Sequence, residues 1–403
     1  MIFHLLFNLL GLLILLLTLP LIVELTILTF AALLFALRFD ILKSKHPLTA
    51  SLTAPHSLII VVPAHNEGLL IQRTIQSLQS SAALATAANP SATIRICVIA
   101  HNCTDDTAQN AAAAGAEVLI LNDPALTGKG HALLHGFNTL APSPNTASNN
   151  AFVIIDADTI VAPDLLLHIH TAISTGAPAV QCRYEALNKN LAAVAMRGFN
   201  VIRPRGRAQL GLSCGIFGNG FALRADLLNR IPYNAHSIVE DLEYHIALVR
   251  NGVRVLYLDQ ARLQGEIIGS RSQKSRWEGG RARMARQWLP SLLRDTLHLR
   301  LRLLGPALDL ASLPLAQGVL LLLVALALPV LWLRDFAAAA LLIVLLHLIA
   351  IILAGNKPQS DLLLLLQAPR YIIQKIFSLP AILRMARNNA AWVRTQRDHE
   401  GPQ

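Results

Sequence analysis

Charge is scarce in this 403-residue chain: Asp, Glu, Lys and Arg together make up 14% of it, and hydrophobic residues 54%. That balance excludes an ordinary soluble enzyme and leaves room for one large domain plus membrane segments. Cysteine is scarce as well. Cys97, Cys103, Cys182 and Cys214 form no Cys-x-x-Cys pair and no zinc spacing, so they read as reduced thiols in a domain facing the cytoplasm. No nucleic-acid-binding motif accompanies the net charge of +10. The excess lies near the apolar ends, where anionic membrane lipids account for it, and no nucleic-acid partner is expected. Residues 2–37 carry one charge, Glu24. This run exceeds the ~20 residues needed to cross a bilayer. It is too long, and lacks the basic start, for a cleaved signal peptide. It reads either as one long tilted helix or as two short ones broken near Pro20.

What is present sorts by composition along the chain. Arg38, Lys43 and Lys45 follow the first apolar run and put the next segment on the cytoplasmic side. From Ser57 short apolar runs alternate with helical spacing: strands at 58–62, 94–100, 117–121 and 152–155, helices at 68–78, 104–114 and 129–139. Such alternation predicts an α/β fold, Rossmann-like, with a mostly parallel sheet whose ligands gather at the carboxyl ends of the strands. Residues 80–92 and 141–150, rich in Ala, Ser, Pro and Asn, read as loops. Residues 287–304 alternate Arg with Leu and Trp, as a helix lying in the membrane interface does. Two spans follow at 306–333 and 336–353, and the tail with Arg370, Lys375, Arg384, Arg387, Arg394 and Arg397 returns to the cytoplasmic face. The expected divisions are an N-terminal membrane segment (1–45), a cytoplasmic α/β domain (46–285), an interfacial helix (286–304), two spans (305–354) and a basic tail (355–403) carrying a further interfacial helix. The chain therefore reads as a multi-pass protein of the cell membrane.

Candidate chemistry gathers where the strands end. Asp156-Ala157-Asp158 follows the strand 152–155. Two carboxylates one small residue apart either turn the chain in solvent or share a hard cation, Mg²⁺ or Mn²⁺, that keeps room for substrate phosphate. Pro63-Ala64-His65-Asn66-Glu67 follows the first strand and either caps a helix or holds a nucleotide's base and ribose. His101 and Asn102 end the second strand, where a base would dock, while Thr104 or Asp105 caps the helix behind them. Gly128-Lys129-Gly130 lets backbone approach a diphosphate and supplies charge to it, although the other residues of a Walker A loop are absent. His131 and His135 lack the glutamate of a zinc-protease helix and read as ordinary helix residues. Gly218-Asn219-Gly220 permits close approach to a bound sugar. Of Glu240 and Asp241, one reads as a helix cap and the other as a general base for an attacking hydroxyl. Gln273, Arg276 and Trp277 offer amide, guanidinium and indole, either as a diphosphate clamp with a sugar-stacking ring or as an amphipathic turn at the membrane.

Taken in this order, these clusters resemble a membrane-bound family 2 inverting glycosyltransferase of the GT-A fold, over roughly residues 57–290. The similar branches are the ceramide-glucosyltransferase-like and polysaccharide-synthase-like ones, whose Gln-x-x-Arg-Trp motif also precedes membrane helices. The resemblance implies that Asp158, with Asp156 assisting, holds Mg²⁺ or Mn²⁺ on the diphosphate of a nucleotide sugar. It implies a nucleoside pocket lined by Pro63, His65, Asn66 and Glu67, with His101, Asn102 and Lys129 near the donor. Asp241 would be the catalytic base, with Glu240 beside it on the acceptor and diphosphate side, where Gln273, Arg276 and Trp277 also act. The expected donor is a UDP-sugar and the acceptor a lipid or glycan hydroxyl. In one respect the chain departs from the pattern: His101 stands where the family usually has an aspartate that meets the uracil ring. An imidazole offers different donors and acceptors, which leaves the uridine preference open. The alternatives are an inactive scaffold of the same fold and a processive polysaccharide synthase, for which three or four spans are few. A nucleotidyltransferase would lack both the Glu-Asp and the Gln-x-x-Arg-Trp elements.

Overall fold

The computed structural model describes residues 2–42, 57–143, 147–235, 237, 239–266, 271–298 and 301–374. They divide into two compact units, one of Arg38–Asn188 with Gly211–Ile267, the other of Met1–Leu37, Lys189–Leu210 and Ile268–Gln403.

The first unit is built on one sheet. Its strands are β1 (Ser57–Ala64), β2 (Ile94–His101), β3 (Glu117–Leu121), β4 (Asn150–Ile154), β5 (Thr159–Val161), β6 (Ala179–Ala186), β7 (Phe221–Arg224) and β8 (Val255–Gly265). Their order across the sheet is β3-β2-β1-β4-β7-β6-β8-β5. β1 to β4 form a parallel half, with Val62 beside Val98 and Val61 beside Ile154. β7 then runs antiparallel between β4 and β6, β8 lies parallel to β6, and β5 closes the edge antiparallel to β8. The sheet is thus mostly parallel, as the sequence predicts, with β5 and β7 as its two reversed strands. The antiparallel members β5 and β7 have only three and four residues, too short for a periodicity to register. β1 and β4 read as unbroken apolar runs because helices cover both faces. Leu58, Ile60, Val62, Val153, Leu165 and Ile169 are buried in the resulting core.

One helix differs from expectation. It spans Ile71–Ala88 and buries Ile71, Thr74, Ile75, Leu78, Ser81 and Ala85 on one face, so most of the predicted loop at 80–92 is helical. Alanine and small polar residues dominate that stretch, and alanine's high helix propensity carries the helix onward without bulky apolar side chains.

The second unit is helical. Residues Ile2–Leu42 form one helix that runs through Pro20, which resolves the choice between one helix and two. Ile2–Phe35 and Leu331–Leu353 are long and apolar enough to cross a membrane, and Leu301–Ala311 with Leu315–Ala327 form a pair bent by 72°. The bend falls at Ser312 to Pro314, inside what the sequence suggests is one span at 306–333. The helix expected at 287–304 is instead Arg271–Leu297. It takes in Gln273, Arg276 and Trp277 and runs on through Gly279, Gly280 and Pro290. Lys43, Lys45 and the tail from Lys375 lie outside the described residues, as does the side chain of Arg38.

Lys189–Leu210 also belongs to this helical unit. Its helix Arg203–Gln209 meets the N-terminal helix so closely that a Cβ on Gly206 would overlap the Leu28 backbone carbonyl. A glycine at the crossing allows two helix backbones to approach this closely. Around that crossing Arg203 and Arg207 pair with both Glu24 and Asp309. The Ser312 hydroxyl donates to Glu24 at 3.0 Å, and Arg281 donates to the Asp309 carbonyl.

Candidate active site

The loops leaving β1 and β2 are tied together residue by residue. Asn66 and Asn102 are the two non-glycine residues, among those described, with positive φ, at 55° and 49°. Asparagine tolerates this left-handed conformation because its short amide bonds to nearby backbone. Asn66 Oδ1 accepts from the Thr104 amide at 2.7 Å, and His65 Nδ1 donates to the His101 carbonyl at 2.8 Å. Thr107 Oγ1 accepts from the Glu67 amide at 2.7 Å, and Asp105 accepts from the Gly68 amide at 3.0 Å. Asp105 also accepts from the Thr107 amide at 3.1 Å, so of the two capping candidates it is the one bonded to the start of the helix Thr107–Ala113.

Asn102 reaches the next loop, donating to the Asp123 carbonyl at 2.9 Å and accepting from the Asp123 amide at 2.8 Å. The His101 ring is buried, and its Nε2 donates to the Leu126 carbonyl at 2.7 Å. Burial holds its proton affinity below the usual histidine range. His101 and Asn102 therefore shape the 122–128 loop that delivers Lys129.

Lys129 opens the helix Lys129–Thr139. Its ammonium pairs with Asp156 and donates to the Gly218 carbonyl at 2.5 Å. A Cβ on Gly218 would lie 3.5 Å from Asp241 Oδ2 and 3.9 Å from Lys129 Nζ. One point thus gathers the end of β4, the start of the helix Lys129–Thr139, the loop before β7 and the start of the helix Glu240–Arg250. Burial, and then the neighbouring Asp241 charge, holds Glu240 above the usual carboxylate range. Burial raises Asp241 as well, against the Leu242 amide and the Lys129 charge. Burial would lower Lys129, yet the charges of Asp156, Glu240 and Asp241 outweigh it and keep the lysine protonated.

Asn219 and Gln181 build the floor, and the sequence singles out neither as doing so. Asn219 Oδ1 accepts from the Asp156 amide at 3.1 Å, and its Nδ2 donates to Thr159 Oγ1 at 2.8 Å. Gln181 Nε2 donates to the Asn219 carbonyl at 2.8 Å, and its Oε1 accepts from the Phe217 amide at 3.0 Å. Gly220, at φ 69°, is jammed against the Leu263 side chain, so no larger residue fits there. The buried Tyr184 hydroxyl keeps its proton through burial first and then the fields of Asp156 and Asp158. Arg73 donates to the Asp158 carbonyl at 3.3 Å and pairs with Glu266 at 3.6 Å. Of the sequence candidates, Lys129, Asp156, Glu240 and Asp241 converge, and Asp158 follows Asp156 at the same strand end. Pro63 and His101 lie at the ends of β1 and β2, and His65, Asn66, Glu67 and Asn102 in the loops that follow. The side chains of Gln273, Arg276 and Trp277 lie outside the described residues.

Residues 55–289, more than half of the chain, match the family described as Glycosyltransferase like family 2. The chain belongs to that family. This glycosyltransferase is similar in fold to the mannosyltransferase PcManGT from Pyrobaculum calidifontis, solved with GDP-Man and Mn²⁺. The TM-score is 0.51 at 18% identity, over 92% of this chain and 99% of that one. Glucosyl-3-phosphoglycerate synthase from Mycobacterium tuberculosis, solved with Mn²⁺, UDP and glucosyl-3-phosphoglycerate, gives a TM-score of 0.41 at 21% identity, over 57% of this chain and 82% of that one. No curated protein matches the chain in sequence.

The residues of this glycosyltransferase fit a hard divalent cation. Among the described residues no three His, Cys, Asp or Glu side chains are grouped to cage a metal. Mg²⁺ and Mn²⁺ take one or two carboxylates and complete their shell with phosphate and water. Asp156 already bears a cationic group, the Lys129 ammonium. Asp156 and Asp241 both act on that one ammonium, an excess of negative charge that a divalent ion would offset.

Proposed function

We propose that this glycosyltransferase is a membrane-bound enzyme that moves a sugar from a nucleoside diphosphate to a lipid hydroxyl, with inversion at the anomeric carbon. What supports the reading is the meeting of Lys129, Asp156 and Asp241 around Gly218, a carboxylate available as base beside groups suited to a diphosphate. Asp156 and Asp158 are the residues that would hold Mg²⁺ or Mn²⁺, and the bound ion would supply charge neutralisation for the departing diphosphate. Asp241 takes the proton of the acceptor hydroxyl as its oxygen bonds to the anomeric carbon. The bond from that carbon to the diphosphate oxygen breaks, and the nucleoside diphosphate leaves with the bonding pair. Lys129 and the amides of the 122–128 loop hold the diphosphate, and the paired loops after β1 and β2 hold the nucleoside. The resemblance extends the same reading to Gln273, Arg276 and Trp277 on the diphosphate and acceptor side. The apolar helices support a membrane acceptor, and the basic residues at 38–45 and beyond 367 support a cytoplasmic active site.

The test is a donor panel. Detergent-purified protein with Mn²⁺ and a membrane lipid extract is given UDP- and GDP-linked sugars, and released nucleoside diphosphate and product anomer are measured. UDP donors are expected to serve. GDP donors are the second arm, since His101 departs from the uracil-binding pattern and the similar mannosyltransferase was solved with GDP-Man. Release from no donor, with lipid present, contradicts the reading.

A further inference from the structure

The ammonium of Lys129 holds one of the two carboxylates proposed for the metal. It pairs with Asp156 Oδ1 and donates to the Gly218 carbonyl at 2.5 Å. A carboxylate oxygen that holds an ammonium cannot also serve a divalent cation at coordination distance without bringing two positive centres together. The backbone of Lys129 is anchored by geometry, so its ammonium stays within reach of Asp156. Lys129 starts a helix behind Gly128, whose φ is 90°, and the Asn102 and His101 bonds to the 122–128 loop fix its approach. Asp156 is held just as firmly, its amide donating to Asn219 Oδ1 at 3.1 Å.

We propose that Lys129 is an internal counter-ion that keeps the divalent metal off Asp156 until a nucleoside diphosphate arrives. The incoming diphosphate carries more negative charge than one carboxylate and draws the ammonium toward itself, freeing Asp156 Oδ1 for the metal. Nucleotide and metal then bind with positive coupling, each tightening the other by the same factor. This rests on the assignment of Asp156 and Asp158 to the metal, and it adds an order of binding that the assignment does not contain.

The experiment is Mn²⁺ binding to detergent-purified protein, read by the electron paramagnetic resonance of free Mn²⁺ with and without UDP or GDP, and needs no turnover. Wild type is expected to bind Mn²⁺ weakly alone and at least about tenfold more tightly with the preferred nucleotide, beyond chelation by the nucleotide in solution. Lys129→Met and Lys129→Gln are expected to bind Mn²⁺ alone about tenfold more tightly than wild type and to lose most of the nucleotide effect. Asp156→Asn added to either variant removes the gain. If wild type binds Mn²⁺ equally with and without nucleotide, the proposal is overturned whether or not the lysine variants fold. If nucleotide tightens Mn²⁺ in wild type but the folded lysine variants gain nothing alone, the counter-ion role fails and the metal assignment stands. Absence of Mn²⁺ binding under every condition overturns both.

Discussion

Replacing Glu24 by glutamine removes one of two carboxylates from a buried ionic cluster and leaves an excess of guanidinium behind. Glu24 is 5% exposed. It pairs with Arg203, accepts from Arg207 at 3.0 Å and from the Ser312 hydroxyl at 3.0 Å. After the change, Arg203, Arg207 and Arg281 keep Asp309 as their one carboxylate within the cluster. Breaking a buried ion pair from one side typically costs about 3–5 kcal/mol, because the surviving charge stays desolvated. The neutral amide of glutamine returns part of the hydrogen bonding, so the lower end of that range is the expectation. Thermal unfolding of the detergent-purified protein, followed by helical circular dichroism, measures it. A double-mutant cycle with Arg203→Gln separates this effect from general loosening. The pair should show a coupling of at least about 1.5 kcal/mol, against up to about 0.5 kcal/mol for independent sites. A glutamine variant that unfolds with wild type, or costs that simply add, refutes the claim that this cluster holds the Lys189–Leu210 segment to the N-terminal helix.

Three further outcomes are expected. Asp105 is pushed up by burial but pulled further down by the Thr107 hydroxyl and the Gly68 and Thr107 amides. Its folded pKa therefore lies below its unfolded value of about 3.9. The stability it adds is complete above that value and is lost as pH falls through the folded one. Asp105→Asn should thus lower stability at neutral pH and flatten the acid limb of an unfolding profile; an unchanged acid limb contradicts this. Gly220→Ala forces a Cβ onto Leu263 at positive φ, and strain of about 1–2 kcal/mol from the conformation alone should appear as a lowered melting temperature. Glu240→Gln imitates the protonated form that burial favours. Its loss of transfer rate should be at least about tenfold smaller than that of Asp241→Asn, where the proton acceptor itself is gone. Equal losses would show that both carboxylates work ionised.

The parallel half of the sheet was legible because β1 and β4 are buried on both faces, and β3 and the helix Lys129–Thr139 carry clear boundaries of their own. β5 and β7 are shorter than the period needed to recognise a strand, so these two reversed strands escaped. The Lys189–Leu210 segment was illegible for a different reason. Its close fit is to Leu28 and its counter-charges are Glu24 and Asp309, so nothing near it in sequence marks it. Within the site, the polar clusters stood out because they follow strand ends. The Asn219 and Gln181 amides did not, since their partners are backbone groups on distant strands. The long apolar runs exposed the helical segments, but not the 72° bend, which depends on a single proline-led turn.

The most direct measurement of the account is nucleoside diphosphate release from a nucleotide sugar by wild type and by Asp241→Asn, with Mn²⁺ and membrane lipid, after both have been shown to fold alike. The account predicts lipid-dependent release by wild type and a loss of about 10²–10⁴ in the variant, with nucleotide binding kept. Release by Asp241→Asn at the wild-type rate would contradict it.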